Sequence, residues 1–303
     1  MNQNKNTVLI ILGPTASGKT ALSLQLANYY QTSIISADSR QCCQELNIGV
    51  AKPTDEELNS VHHYFINTHS ITQNITAQTF EEYALQAADE IFKTNPVAVM
   101  AGGSGLYIKA FCEGFDEIPE VDKNIRQKII ACYKEHGLAW LRKEVNEKDF
   151  EFWQEAEQQN PQRLIRALEV LQATGKSIST FRNNEKKKRP FDIIKIGLSL
   201  PKEQLHINID KRINEMIENG LVDEVRALLP YYNYNALQTV GYKEIFDYLD
   251  EKNSLQEAIA NIKTNTKQYA KRQLTWFRKD KDIHWLSPPF NYYEYSLEDL
   301  LKK

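Results

Sequence analysis

Apolar positions along this chain follow two rhythms. Short runs bounded by turn residues occur at Val8-Leu9-Ile10-Ile11-Leu12, at Ser33-Ile34-Ile35-Ser36 and at Val97-Ala98-Val99-Met100, and again, interrupted by one lysine, at Ile193-Ile194-Lys195-Ile196-Gly197-Leu198. Runs of that length, rich in β-branched residues, predict strands buried on both faces, as in parallel sheets. Between them apolar residues recur every three or four positions. Residues 21–27 read as one helix. Residues 77–93 read as another, capped by Thr76, with Phe80, Tyr83, Ala84, Ala87, Ala88 and Ile91 on its core face. From about 115 to 189 strand signals vanish. Helices are expected at 122–136, stopped by Gly137, near 138–145, and from Pro161, with Leu164, Leu168 and Leu171 on one face. Further helices are expected over 205–229, broken at Asn219-Gly220, and over 255–277.

The link between the first strand and the first helix carries chemistry. Gly13-Pro14-Thr15-Ala16-Ser17-Gly18-Lys19-Thr20 fits the P-loop pattern in its required strand–turn–helix setting. Its glycines let successive N–H groups point at one anion, and the helix N-terminus adds partial positive charge. Lys19 supplies a full charge, and the Thr20 hydroxyl can ligate Mg²⁺. A phosphate or pyrophosphate site follows. Together the patterns predict an α/β protein: a P-loop-type parallel sheet core flanked by helices, with an inserted all-helical domain. The expected boundaries are 1–114 and 190–303 for the core and 115–189 for the insert.

Two more strand ends bear on the reaction. The second strand leads into Ala37-Asp38-Ser39, and ligands of open α/β sheets sit beyond such carboxyl ends. Asp38 reads equally well as a site residue or as a turn aspartate. The third strand leads into Gly102-Gly103-Ser104-Gly105, with no acidic residue where a Walker-B aspartate would hold Mg²⁺. That counts against a motor or switch NTPase. The loop 40–53 is long enough to suggest function.

Charge refines this picture only locally. The 303 residues carry 37 Lys and Arg against 40 Asp and Glu, a net charge of −3, which argues against non-specific wrapping of nucleic acid. Lys263, Lys267 and Lys271 nevertheless repeat at i,i+4 with no acid interleaved. Each such like-charge pair costs about 0.2–0.5 kcal/mol, which a polyanion would offset, although a solvated lysine face is the alternative. Lys186-Lys187-Lys188-Arg189 reads either as a solvated loop or as a phosphate contact. The four cysteines form no C-x-x-C pair, and His62-His63 lacks a third ligand at suitable spacing, so neither a zinc nor a redox site is indicated. No run approaches a membrane span, and the first apolar run is too short for a signal peptide. A cytosolic protein without membrane partners is expected.

With these motifs assembled, nearly the whole chain resembles the bacterial tRNA dimethylallyltransferases. The resemblance rests on the P-loop, on Ser36-Ala37-Asp38-Ser39 with Gln41, on Ile48-Gly49 with Ala51-Lys52-Pro53, and on Gly102-Gly103-Ser104-Gly105-Leu106-Tyr107. It continues through Gln162-Arg163-Leu164, Arg166-Ala167-Leu168-Glu169-Val170 and Val240-Gly241-Tyr242-Lys243-Glu244, ending with Tyr269-Ala270-Lys271-Arg272-Gln273-Leu274-Thr275-Trp276-Phe277-Arg278. It implies transfer of a dimethylallyl group from dimethylallyl diphosphate to N6 of adenosine 37 of tRNA, with Mg²⁺ as cofactor. It also implies an insert that grips the anticodon arm. A monomer is expected.

The same resemblance implies roles. Asp38 would be the general base, Thr15 would lie near the bridging oxygen, and Lys19 and Arg212 would be cations on the leaving group. The diphosphate would lie on Gly13, Pro14, Thr15, Ala16, Ser17, Gly18, Lys19 and Thr20, with Thr20 also at the metal. Contacts to tRNA would come from Asp38, Ser39, Arg40, Gln41 and Ser104, and from Gln162, Arg163, Leu164, Ile165 and Arg166 in the insert. Gln238, Thr239, Val240, Gly241, Tyr242 and Lys243 would add to them, as would Lys271, Arg272 and Arg278. The chain departs from the family at Cys43, Val50 and Ser104, where Tyr, Thr and Thr are usual, and at Asn208, where an arginine is usual. Two other enzyme classes fit the P-loop alone: prenyl transfer to free AMP or ATP, and a small-molecule kinase with a helical lid.

Overall fold

A computed structural model describes residues 6–116, 118–182 and 186–287. Strand β1 (Thr7–Leu12) runs through the P-loop into α1 (Lys19–Tyr30), followed by β2 (Ile34–Ala37), a 3₁₀ turn at Ile48–Val50, α2 (Asp55–Ser60) and β3 (His63–Tyr64). Then come α3 (Ala77–Phe92), β4 (Val97–Gly102) and α4 (Gly105–Glu113). The helices α5 (Lys123–Lys148), α6 (Phe150–Glu155) and α7 (Pro161–Thr174) precede β5 (Asp192–Leu198). The chain continues through α8 (Lys202–Glu218), α9 (Leu221–Ala227), α10 (Tyr242–Leu249), α11 (Leu255–Phe277) and β6 (Ile283–Leu286).

The six strands form one parallel sheet in the order β3-β2-β4-β1-β5-β6. Every residue of β1 is buried, which explains its continuous apolar run. Side chains alternate across the sheet. Val8, Ile10 and Leu12 pack with residues of α3, α4 and α8 to α11, whereas Ile11 packs with Leu22, Leu26 and Ala27 of α1. The predicted 205–229 helix is two helices, α8 and α9, separated where Gly220 takes φ 95°. Three elements carry no readable pattern because of their length: α2 spans six residues, β3 two and β6 four. Among the described residues no helix is long and apolar enough to cross a membrane.

The chain divides into two compact units, residues 1–112 with 188–303, and residues 113–187. The second unit has its own core, including Ile129, Leu141, Val145, Phe152, Leu164, Ile165, Leu168 and Ile178. Its long helix is interrupted at Gly137, where φ is 74° and ψ is −172°. Pro161 opens α7 behind the Asn160 cap, whose side chain accepts from the Arg163 amide. Buried Glu169 is neutralised by Arg126 at 2.6 Å and Arg166 at 3.3 Å. A carboxylate left alone there would be strongly destabilising.

Candidate active site

The carboxyl ends of β1, β2 and β4 open onto a cavity of about 600 Å³ within the first unit, the size of a small-molecule site. The P-loop forms its floor. Gly13 and Gly18 take φ 150° and 92°, and a Cβ on Gly13 would lie 2.9 Å from the Leu198 carbonyl oxygen. Even Ala16 is held left-handed, at φ 61°. Ser17 is 1 % exposed and its hydroxyl has no hydrogen-bond partner. A buried orphan hydroxyl is costly unless a ligand completes it. Thr20 is exposed at the first turn of α1.

Two cations share this floor. Lys19 Nζ donates to the Pro14 carbonyl at 2.6 Å. Loss of water and then Arg212 push its pKa down to about 7, with Asp38 opposing them. Arg212 on α8 approaches the Thr15 hydroxyl at 3.4 Å, and burial lowers its pKa. Asn208, one turn earlier, donates to the Ala16 carbonyl at 3.2 Å and accepts from Gln204 at 2.9 Å. It therefore braces the P-loop backbone without adding charge.

At the carboxyl end of β2 stands Asp38. Its Oδ1 accepts from the Arg40 and Gln41 amides at 2.8 and 3.3 Å, forming a turn, while the residue lines the cavity. Ser104 Oγ accepts from the Ser39 amide at 3.1 Å, tying the β4 and β2 ends together. Gln41 is a tether: its amide donates to the Val50 and Ala51 carbonyls at 3.3 and 2.9 Å. The loop it holds is clamped from behind by Glu224 of α9. That carboxylate accepts from the Ile48 and Gly49 amides at 2.7 and 3.1 Å and from the Tyr242 hydroxyl at 2.6 Å. Val50 lines the cavity, and Cys43 is buried behind it.

Several expected tRNA contacts are corrected. Leu164 and Ile165 are 0 % and 1 % exposed in the core of the second unit, so they offer no surface. Tyr242 is 0 % exposed with its hydroxyl committed to Glu224, whereas Gly241, the N-cap of α10, lines the cavity. Gln238, Lys243, Lys271, Arg272 and Arg278 are exposed; Thr239 and Val240 line the cavity. Gln162 and Arg163 are exposed on α7, where Arg163 meets Glu157 at 3.2 Å, and Arg166 is half-buried. The lysine stripe is not free of acid, because Lys267 pairs with Asp210 of α8 at 2.8 Å. In the basic run, Arg189 is neither solvated nor aimed at phosphate. Its guanidinium binds the Phe111 and Ala110 carbonyls and Glu81, capping α4.

Sequence reasoning missed Gln273, Tyr269 and Glu224. Gln273 is 7 % exposed. Its Oε1 accepts from the Thr15 amide and its Nε2 donates to the Gly103 carbonyl, both at 2.9 Å. A Cβ on Gly103 would clash with that Nε2, so a larger residue there would displace the Gln273 amide. The available signal was that Tyr269 and Gln273 both fall within the Tyr269 to Arg278 motif of α11. Tyr269 and Trp276, on the same helix, are 39 % and 37 % exposed.

The profile of a family described as IPP transferase matches residues 41–280. The tRNA dimethylallyltransferase 1 of Bacteroides thetaiotaomicron is 44 % identical over 282 residues, covering 93 % of this chain and 92 % of the relative. The tRNA dimethylallyltransferase of Christiangramia forsetii is 48 % identical over 280 residues, covering 92 % and 93 %. Among solved structures, the tRNA isopentenylpyrophosphate transferase of Bacillus halodurans superposes with a TM-score of 0.70 at 31 % identity, over 98 % of this chain and 94 % of that one. A eukaryotic dimethylallyltransferase acting on tRNA shares the fold, with a TM-score of 0.78 at 24 % identity.

Proposed function

The chain belongs to the IPP transferase family, and on that premise we propose that it transfers the dimethylallyl group of dimethylallyl diphosphate to N6 of adenosine 37 in the anticodon loop of tRNA. One observation carries the reading. A single cavity brings together a P-loop anion floor with two cations, Lys19 and Arg212, and a carboxylate, Asp38, while β4 ends in Gly102 without an acid. That arrangement suits departure of a diphosphate better than activation of water against a terminal phosphate.

The reaction breaks the bond between the allylic carbon and the diphosphate oxygen and forms one from that carbon to the amino nitrogen. Negative charge grows on the leaving diphosphate. The P-loop amides, the orphan Ser17 hydroxyl, Lys19 and Arg212 meet it in a partly desolvated site, where fixed donors are most effective. The adenine amine is weakly nucleophilic because its lone pair is delocalised. Asp38 takes the proton it sheds, through the oxygen not engaged by the Arg40 and Gln41 amides. The acceptor base leaves its stack to enter the cavity.

The donor set fits a magnesium ion held mainly by the substrate. Among the described residues no cluster of three metal-ligating side chains exists, and Mg²⁺ keeps several waters and binds through few protein groups plus phosphates. The Thr20 hydroxyl would hold it, and the ion would supply further charge neutralisation on the diphosphate.

The test offers labelled dimethylallyl diphosphate with tRNA, with AMP and alone. Label is expected in tRNA at the adenosine amine. Equal labelling of AMP would overturn the tRNA assignment, and labelling of neither would overturn prenyl transfer.

A further inference from the structure

A flipped adenine needs a flat surface to replace the stacking it leaves behind. Two aromatic side chains line the cavity among the described residues, His63 and Tyr269. The His63 ring is tied by Nδ1 to the Val61 carbonyl at 2.7 Å. Tyr269 is different: it is 39 % exposed although it stands at the cavity wall. Its root is fixed, because Ile262, Ala270 and Gln273 around it on α11 are buried, and Gln273 is bonded to both Thr15 and Gly103. The Arg272 guanidinium lies 5.9 Å from the ring centroid, within cation–π range. Asp38 and Arg40 act on the phenol from the β2 end, and burial with Asp38 pushes its pKa up to about 12, so the hydroxyl stays protonated and neutral. A partly exposed, uncharged ring lining the same cavity as the carboxylate suits a base of any ring pattern, since stacking reads the π face rather than the edge.

We propose that the face of Tyr269 is the stacking platform for the acceptor adenine, holding its amino edge toward Asp38. The proposal rests on the reading above that the acceptor is an RNA adenosine. Tyr269 is thus a substrate-positioning residue that takes no proton itself.

The experiment uses the full chain and two anticodon stem-loop RNAs, one with adenosine at the acceptor position and one abasic there. Tyr269→Ala is expected to weaken binding of the adenosine RNA by about 5- to 150-fold, the range for one base–aromatic stack, and to leave binding of the abasic RNA and of dimethylallyl diphosphate unchanged. Tyr269→Phe should bind both RNAs as the wild type does. Tyr269→Leu, which keeps apolar volume, should lose adenosine-specific affinity like the alanine variant and serves if alanine destabilises the fold. Equal losses on both RNAs, or a Phe variant that behaves like Ala, would overturn the platform. If wild type fails to prenylate the adenosine RNA while the differential persists, the proposed function falls and Tyr269 is left as an adenine-stacking surface without the acceptor role. If prenylation is normal and the differential is absent, only the platform falls.

Discussion

Raising the pH from 7 to 9 should weaken diphosphate binding through Lys19. Burial, and next the Arg212 charge, bring its pKa down to about 7 against the pull of Asp38. A group with that pKa is about 10 % protonated at pH 8 and about 1 % at pH 9. A bound diphosphate places negative charge beside the amine and favours its ammonium form, raising the pKa in the complex. The free protein has then lost a proton that the complex retains, so binding takes up close to one proton per site at pH 8. Affinity accordingly falls as pH rises above 7, approaching tenfold per unit until the pKa of the complex is reached. The last ionisation of a phosphate ligand lies near ~6 and acts in the opposite direction, so pH 7.5 to 9 isolates the lysine. Titration calorimetry with dimethylallyl diphosphate in buffers of different ionisation enthalpy counts the protons, and Kd across the pH series gives the slope. Lys19→Arg keeps a cation that does not titrate and should flatten both readouts. Proton release, or wild-type affinity that stays level from pH 7.5 to 9, would refute the assignment of Lys19 to the leaving group.

Two further outcomes are expected. Asp38→Asn retains an Oδ1 acceptor for the Arg40 and Gln41 amides, so single-turnover kinetics should show kcat falling by roughly 10²–10⁴ at unchanged diphosphate Kd; a normal kcat would move the general base elsewhere. Lys271→Ala should reduce the log–log salt slope of tRNA binding by about 0.7–0.9, whereas Lys267→Ala should change it less because that ammonium is already paired with Asp210; identical slope changes in binding isotherms at several salt concentrations would contradict the distinction.

The P-loop was legible because its geometry is local: a strand, glycines at fixed offsets and a helix lie within about two dozen consecutive residues. The place of Asp38 at the cavity was legible for a similar reason, since it follows a recognisable strand. Residues whose roles come from distant partners were not. Glu224 looks like any acid in a helix's first turn until the fold sets it against the Ile48 and Gly49 amides. Lys267 looked unpaired because Asp210 comes from another helix. Tyr242, Leu164 and Ile165 were misassigned because a motif marks a segment as important without saying which of its side chains face inward. The reading of Arg189 as part of a solvated or phosphate-binding run failed similarly: composition reports charge, whereas the Glu81 and α4 carbonyl partners decide its burial.

The hydrogen bond from the Thr15 amide to Gln273 spans 258 positions of sequence. On the ribosome, at roughly 5–20 residues per second, the threonine therefore emerges on the order of 10–50 s before its partner exists. Throughout that interval the Thr15 amide lacks this acceptor, and Gly103 faces an empty slot where the glutamine amide belongs. The anion site is thus among the first segments made and among the last finished. A chain ending before α11 would carry the P-loop sequence without the Gln273 side chain that joins Thr15 to Gly103.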